Sequence, residues 1–153
     1  MITLTDLEIG QRLLLAVALG GMLGAEREMR QKSAGFRTNI LIAMGSAIFT
    51  ILSLELASTP TTDQTRIAAQ IVVGVGFLGA GAIMRTRGGV QGLTTAATVW
   101  VNAALGTCAG AGQYHLALIG GAITLVVLLI LSPIEAALDR RLLKQPKRSS
   151  TAS

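Results

Sequence analysis

Residues 66–85, RIAAQIVVGVGFLGAGAIMR, form an uncharged, mostly apolar run held between two arginines. As a helix rising about 1.5 Å per residue, this run matches the roughly 30 Å hydrocarbon core of a bilayer, so it reads as a membrane span. Gly74, Gly76, Gly79 and Gly81 crowd its second half, and Gln70 is its only polar side chain between the arginines. Glycine disfavours a helix in water but lets helices approach closely in lipid. The glycine face is therefore expected to receive another helix, either the fourth span or a second copy of the chain.

Composition agrees with that reading. The chain has 153 residues, of which 51% are hydrophobic, 14% charged and 3% aromatic. Soluble domains carry about a quarter of charged residues, so this is a membrane protein with room for one bundle. The net charge of +5 raises nucleic acid as a partner. The basic residues sit at the ends of apolar runs without interleaved aromatics, so nucleic acid is not expected. The single Cys108 cannot form an internal disulfide and reads as a small packing residue. The start, MITLTDLEIG, has acids and no basic n-region, so the first span is expected to be retained rather than cleaved.

Apolar runs fall at about residues 9–25, 38–57, 66–84, 93–111 and 115–133. The expected fold is an all-α polytopic membrane protein, a five-transmembrane-helix bundle. The first run is the shortest and carries Arg12 near its start. Its Gly20 and Gly24, one helical turn apart, form a small-xxx-small face. The first connection holds Arg27, Arg30, Lys32 and Arg37; the third holds Arg85 and Arg87; the tail holds Arg140, Arg141, Lys144, Lys147 and Arg148. The second and fourth connections have no Lys or Arg until Arg66 opens the third span. This alternation places the N-terminus outside and the C-terminus in the cytoplasm. The last span, almost purely aliphatic, is expected to face lipid. Residues 134–153 read as a basic cytoplasmic tail, first an amphipathic helix on the membrane surface and then disordered.

Candidate chemistry is sparse. Residues 74–79, GVGFLG, match the dinucleotide fingerprint, but that motif needs a strand before it and a helix opening within it. Buried in a span, these are helix-packing glycines. Thr95, Thr98 and Asn102, spaced by three and four, project from one face of the fourth span. They are expected to hydrogen-bond between helices, the alternative being a polar path for a substrate. Glu26, Arg27 and Glu28 follow a glycine-rich span end. Each is either a solvated cap or turned into the bundle, where Glu26 or Glu28 could pair with Arg37 or Arg85. Asp63 and Arg66 could pair at the opposite end, with Asp63 well placed at a helix N-terminus. His115 is alone, and the sequence has no nucleophile with a base, no phosphate loop and no HExxH or CxxC motif. Neither enzyme activity nor a metal or cofactor is expected.

Four blocks carry a family resemblance: GGMLGAERE (20–28), AGFRTNILIAMGSAIF (34–49), DQTRIAAQIVVGVGFLGAGAIMR (63–85) and GLTTAATVWVNAALG (92–106). In this order and spacing the chain resembles the MgtC/SapB family of bacterial inner-membrane proteins. The resemblance implies a small helical domain of the inner membrane, tied in some members to growth in low magnesium and survival in macrophages. It implies action on other membrane proteins, notably the ATP synthase, rather than magnesium transport. By motif it marks Glu26, Arg27, Glu28, Gly35, Arg37, Thr38, Asp63, Arg66, Gln70, the four glycines of the third span, Thr94, Thr95 and Trp100. Asn102 and Val73 stand in these blocks outside the family pattern. The virulence-linked branch carries a further cytoplasmic domain of the ACT type, which this chain is expected to lack.

Two functions follow. The first is a regulator of other membrane proteins under magnesium limitation or ionic and acid stress, a homodimer through its small-residue faces. The second is a transporter or channel subunit for a cation or small solute. Its path would be lined by Gln70, Thr94, Thr95, Thr98 and Asn102 and gated by Glu26, Arg37 or Asp63.

Overall fold

The computed structural model describes residues 4–57, 63, 65–86 and 89–143, with side chains described as far as residue 131. Five helices and a short hairpin follow in order: α1 (Asp6–Met29), α2 (Phe36–Leu56), α3 (Arg66–Gly81), β1 (Met84–Thr86), β2 (Gly89–Gln91), α4 (Leu93–Gly110) and α5 (Tyr114–Leu143). Among the described residues, three stretches are long and apolar enough to cross a membrane: α1, α2 and residues Tyr114–Leu131 of α5.

The helix starts follow local chemistry. Thr5 and Glu8 form a reciprocal capping box at α1, the Thr5 hydroxyl accepting from the Glu8 N–H and the Glu8 carboxylate from the Thr5 N–H. Gly35 has no side chain with which to cap α2. Glu28 does it instead, its carboxylate accepting the Phe36 N–H at 3.0 Å.

Three expectations change. The third run does not continue as helix to residue 84. α3 stops at Gly81, and Met84–Thr86 pairs antiparallel with Gly89–Gln91. Sixteen residues span about 24 Å, short of the bilayer core. The break coincides with a close backbone approach: Gly92, at φ +88, passes so near Ala82 that a β-carbon would strike its carbonyl oxygen. α1 runs past residue 25 to Met29, so Glu26, Arg27 and Glu28 belong to the helix rather than to a connection. α5 continues through Pro133 to Leu143, because proline removes one backbone bond without stopping a helix whose flanks are strong formers. Residues 144–153 of the expected disordered tail lie outside the described residues.

The bundle is built on α2. It packs against α1 and α4 through small residues, with Ala16, Ala43, Ala47 and Ala109 sealed from solvent along one seam. A β-carbon at Gly20 would stand 2.7 Å from the Asn39 carbonyl oxygen, and one at Gly24 would stand 2.8 Å from Phe36 Cα. On the other side, Gly106 would strike the Ala43 carbonyl and Gly110 would come within 2.6 Å of that of Ala47. Gly106 and Gly110 thus form a second small-xxx-small face, on α4. α5 covers α1 and α4 through Leu19, Leu23, Leu105, Ala117 and Leu128. α3 rests on α4 and on α2 through Ile71 and Val75, which meet Val99 and Ala103.

The α3 glycines do not form the expected helix-packing face within one chain. Only Gly79 touches a neighbour, Ala96 of α4, while Gly74, Gly76 and Gly81 face open space. Leucine at Gly106 is therefore expected to cost at least about 3 kcal/mol by driving α2 and α4 apart. Leucine at Gly76 should leave the monomer intact. Thermal unfolding of the two variants in detergent measures the contrast.

Candidate functional site

The ionisable residues collect where α1 ends and α4 begins. Glu26 and Arg27 are 2% and 4% exposed, whereas Glu28 on the same helix is exposed. Two positions along a helix differ by about 200°, so residues 26 and 28 cannot face the same way. Glu26 continues the line of Leu19 and Leu23, and Arg27 the line of Gly20 and Gly24. Both lines point into the bundle.

The Glu26 carboxylate contacts the Arg30 guanidinium one turn on and lies 3.8 Å from that of Arg27. Arg27 Nη2 donates to the buried Thr95 hydroxyl of α4 at 3.2 Å. This bond joins α1 to α4. The expected pairing of Glu26 or Glu28 with Arg37 or Arg85 is not formed: Arg37 and Arg85 are exposed, and Glu28 caps α2. Neither Glu26 carboxylate oxygen nor Arg27 Nε has a hydrogen-bond partner among the described residues.

One step deeper, Asn102 of α4 donates to the Asn39 carbonyl at 2.6 Å and to its side-chain oxygen at 3.1 Å. Asn39 passes its own amide protons to the carbonyls of Ala34 and Gly35, at 2.8 and 2.9 Å. Both asparagines are fully buried. Thr98, also buried, donates to the Thr94 carbonyl one turn back. The α4 polar face is therefore turned into the bundle, with Asn102 Oδ1 left without a hydrogen-bond partner among the described residues. At its far end, Arg12 Nη1 donates to the Gly110 carbonyl at 2.7 Å, where a cation also suits the helix dipole.

The remaining sequence candidates scatter. Thr38, Arg66, Gln70, Thr94 and Trp100 are exposed. Asp63 accepts the Thr65 N–H and hydroxyl at 2.9 and 2.7 Å and forms no ion pair with Arg66 among the described residues. Those two bonds, with a smaller contribution from the Arg66 charge, hold its carboxyl below the usual range. Thr38 and Gln70 do share a feature, the rim of an open groove of about 800 Å³ between α2 and α3. Sequence reasoning missed Asn39, Arg12, Gly106 and Gly110. An amide within an apolar run and a GxxxG spacing were the available signals.

Replacing Glu26 with glutamine leaves Arg27 buried without its counter-charge, at an expected loss of about 3 kcal/mol or more. Thr95→Val removes one bond to the same guanidinium and should lose about 1–3 kcal/mol. A double-mutant cycle read by thermal unfolding in detergent should show the two coupled.

Comparison with known proteins supplies the kinship. The MgtC family profile matches residues 13–137. YhiD of Escherichia coli, provisionally described as a magnesium transporter, is 49% identical over 123 residues, covering 76% of this chain and 57% of its own length. MgtC of Salmonella typhimurium is 50% identical over 116 residues, covering 76% of this chain and 48% of its own length. An uncharacterised Synechocystis protein is 43% identical over 130 residues, covering 85% of this chain and 55% of its own length. The chain spans about half the length of the curated relatives it matches. No solved structure gives a significant match. With apolar helices, a family match over most of its length and such relatives, the chain is a membrane protein and belongs to the MgtC family.

Proposed function

We infer that this chain is a non-enzymatic, multi-pass regulator in the bacterial cytoplasmic membrane, modulating other membrane proteins when magnesium is scarce or ionic or acid stress is imposed. The observation that carries this reading is the disposition of polar groups on α4. Thr95, Thr98 and Asn102 are buried and bonded inside the bundle, so they offer no continuous polar file for a solute. The exposed surface of α3 is instead apolar, with Val72, Val73, Phe77 and Leu78 more than half exposed. An apolar helix face in lipid, relieved by small residues, is a surface for another helix.

All five helices enter the bilayer in this reading, with the N-terminus outside and the C-terminus in the cytoplasm. The basic residues Arg30, Lys32, Arg37 and Arg85 gather at the end shared by α1, α2 and the hairpin, which favours that orientation. α3 is short for a full crossing, and Arg66 at its start can reach the interface. A homodimer would use the side of α3 bearing Val73, Gly76, Phe77 and Ala80, which is exposed in the single chain.

The rival reading, a cation or solute transporter, draws on the description of YhiD. A magnesium path needs converging oxygen ligands, and the α2–α3 groove is lined by no carboxylate. Crosslinking in native membranes under magnesium limitation should recover a second membrane protein with the chain. Recovery of the chain alone would count against regulation. Magnesium flux into proteoliposomes of the purified protein would establish the transporter instead.

A further inference from the structure

Among the described residues, no helix is laid over the open groove between α2 and α3. Its walls are apolar, with Leu41 and Phe49 from α2 facing Ile71 and Leu78 from α3. Its lining also includes Gly45 and Gly74, whose absent side chains leave nothing within 4 Å. Along α2 it runs from Thr38 to Phe49, about 16 Å of helix, close to the depth of one bilayer leaflet.

A second, polar hollow of about 680 Å³ adjoins the Thr38 end. The two share Ser33 and Thr38 in their linings, so they are neighbours. The hollow also contains Lys32, Arg37 and Glu28. Glu28 is committed to capping α2, while Lys32 and Arg37 are exposed and have no ion-pair partner among the described residues. The hollow is net positive.

An apolar slot one leaflet deep, beside a cationic cup with two hydroxyls, has the chemistry that suits a phospholipid. We propose that the α2–α3 groove binds one anionic glycerophospholipid, with an acyl chain along Gly45 and Gly74 and the phosphate at Lys32 and Arg37. Lipid tails are as apolar as the groove, so the slot gains little hydrophobic energy over the surrounding bilayer. Selectivity is set by the headgroup charge, and retention by the fit of the chain between two glycines. The Gly76 side of α3 lies outside this groove, so a lipid here and a second copy there do not compete.

The test is native mass spectrometry of the full chain in detergent, supplied with phosphatidylglycerol or phosphatidylethanolamine carrying identical acyl chains. The wild type should retain one phosphatidylglycerol per chain in preference to phosphatidylethanolamine. Gly45→Leu and Gly74→Leu, on different helices and facing open space, should each abolish most of that retention while helicity by circular dichroism is unchanged. Lys32→Gln with Arg37→Gln, at the exposed rim, should keep an acyl lipid but lose the preference by about tenfold. The proposal is overturned if the wild type retains no lipid, or if the leucine variants retain as much as it does, which would mean annular lipid only. A lipid-free dimer that separates when the groove is filled would assign the groove to a second copy and overturn it equally. Lipid retention is read whichever way the protein faces, so a negative result leaves the orientation and the regulatory reading standing.

Discussion

The α2 backbone lies so close to α1 on one side and α4 on the other that at four glycine positions not even a β-carbon fits between them. Gly20 and Gly24 meet its first turns, and Gly106 and Gly110 meet the carbonyls of Ala43 and Ala47. In water such glycines weaken a helix by about 1 kcal/mol each relative to alanine. In lipid the balance differs, because there is no hydrophobic gain in hiding one apolar helix behind another. Association must come from contact density and polar bonds, and both increase as the backbones close. The three-helix seam therefore fixes the rest of the chain: α5 covers α1 and α4, and α3 is left to lean on the outside.

The same close approach explains how charge is accommodated. A carboxylate and a guanidinium removed from water cost several kcal/mol each, more than their attraction returns unless the geometry is good. Glu26 meets this with two guanidinium groups, and Arg27 with Thr95 across the interface. The Glu26 contacts lie within the end of α1, so the Arg27–Thr95 bond is the part of the cluster that depends on the spacing between α1 and α4. The Asn39–Asn102 pair ties α2 to α4 a turn or two further in. Polar bonds of this kind average only about 0.6 kcal/mol in a membrane, so they fix register rather than supply bulk stability.

Much of this arrangement was legible in the residues themselves. Five apolar runs give five helices, and Gly20 with Gly24 announces one crossing. The errors share a cause. Hydropathy measures composition over a window, so it saw residues 82–84 as apolar and missed that Gly92 must fold back over Ala82. The same window ends the last span at residue 133, whereas α5 continues through Pro133 to Leu143. The inward turn of Glu26 and Arg27 needed no structure at all. Extending the Leu19–Leu23 and Gly20–Gly24 lines by three residues reaches both. What sequence could not supply was which glycine faces are filled. Gly106 and Gly74 look alike as letters, yet one abuts a carbonyl and the other an empty groove.

That difference bears on how α3 relates to the rest. Its buried residues are Ile71, Val75 and Gly79, a single stripe at a spacing of four. A helix held by one stripe exposes two flanks. On α3, one flank carries Gly74 and lines the groove, while the other carries Gly76 and faces outward. The two glycines are separated by about 200° around the axis, so contacts on one flank do not obstruct the other. Both flanks bear on the same weakly seated helix, and anything filling either one shifts its balance against α2 and α4. α3 therefore presents two unfilled flanks, one to the groove and one outward.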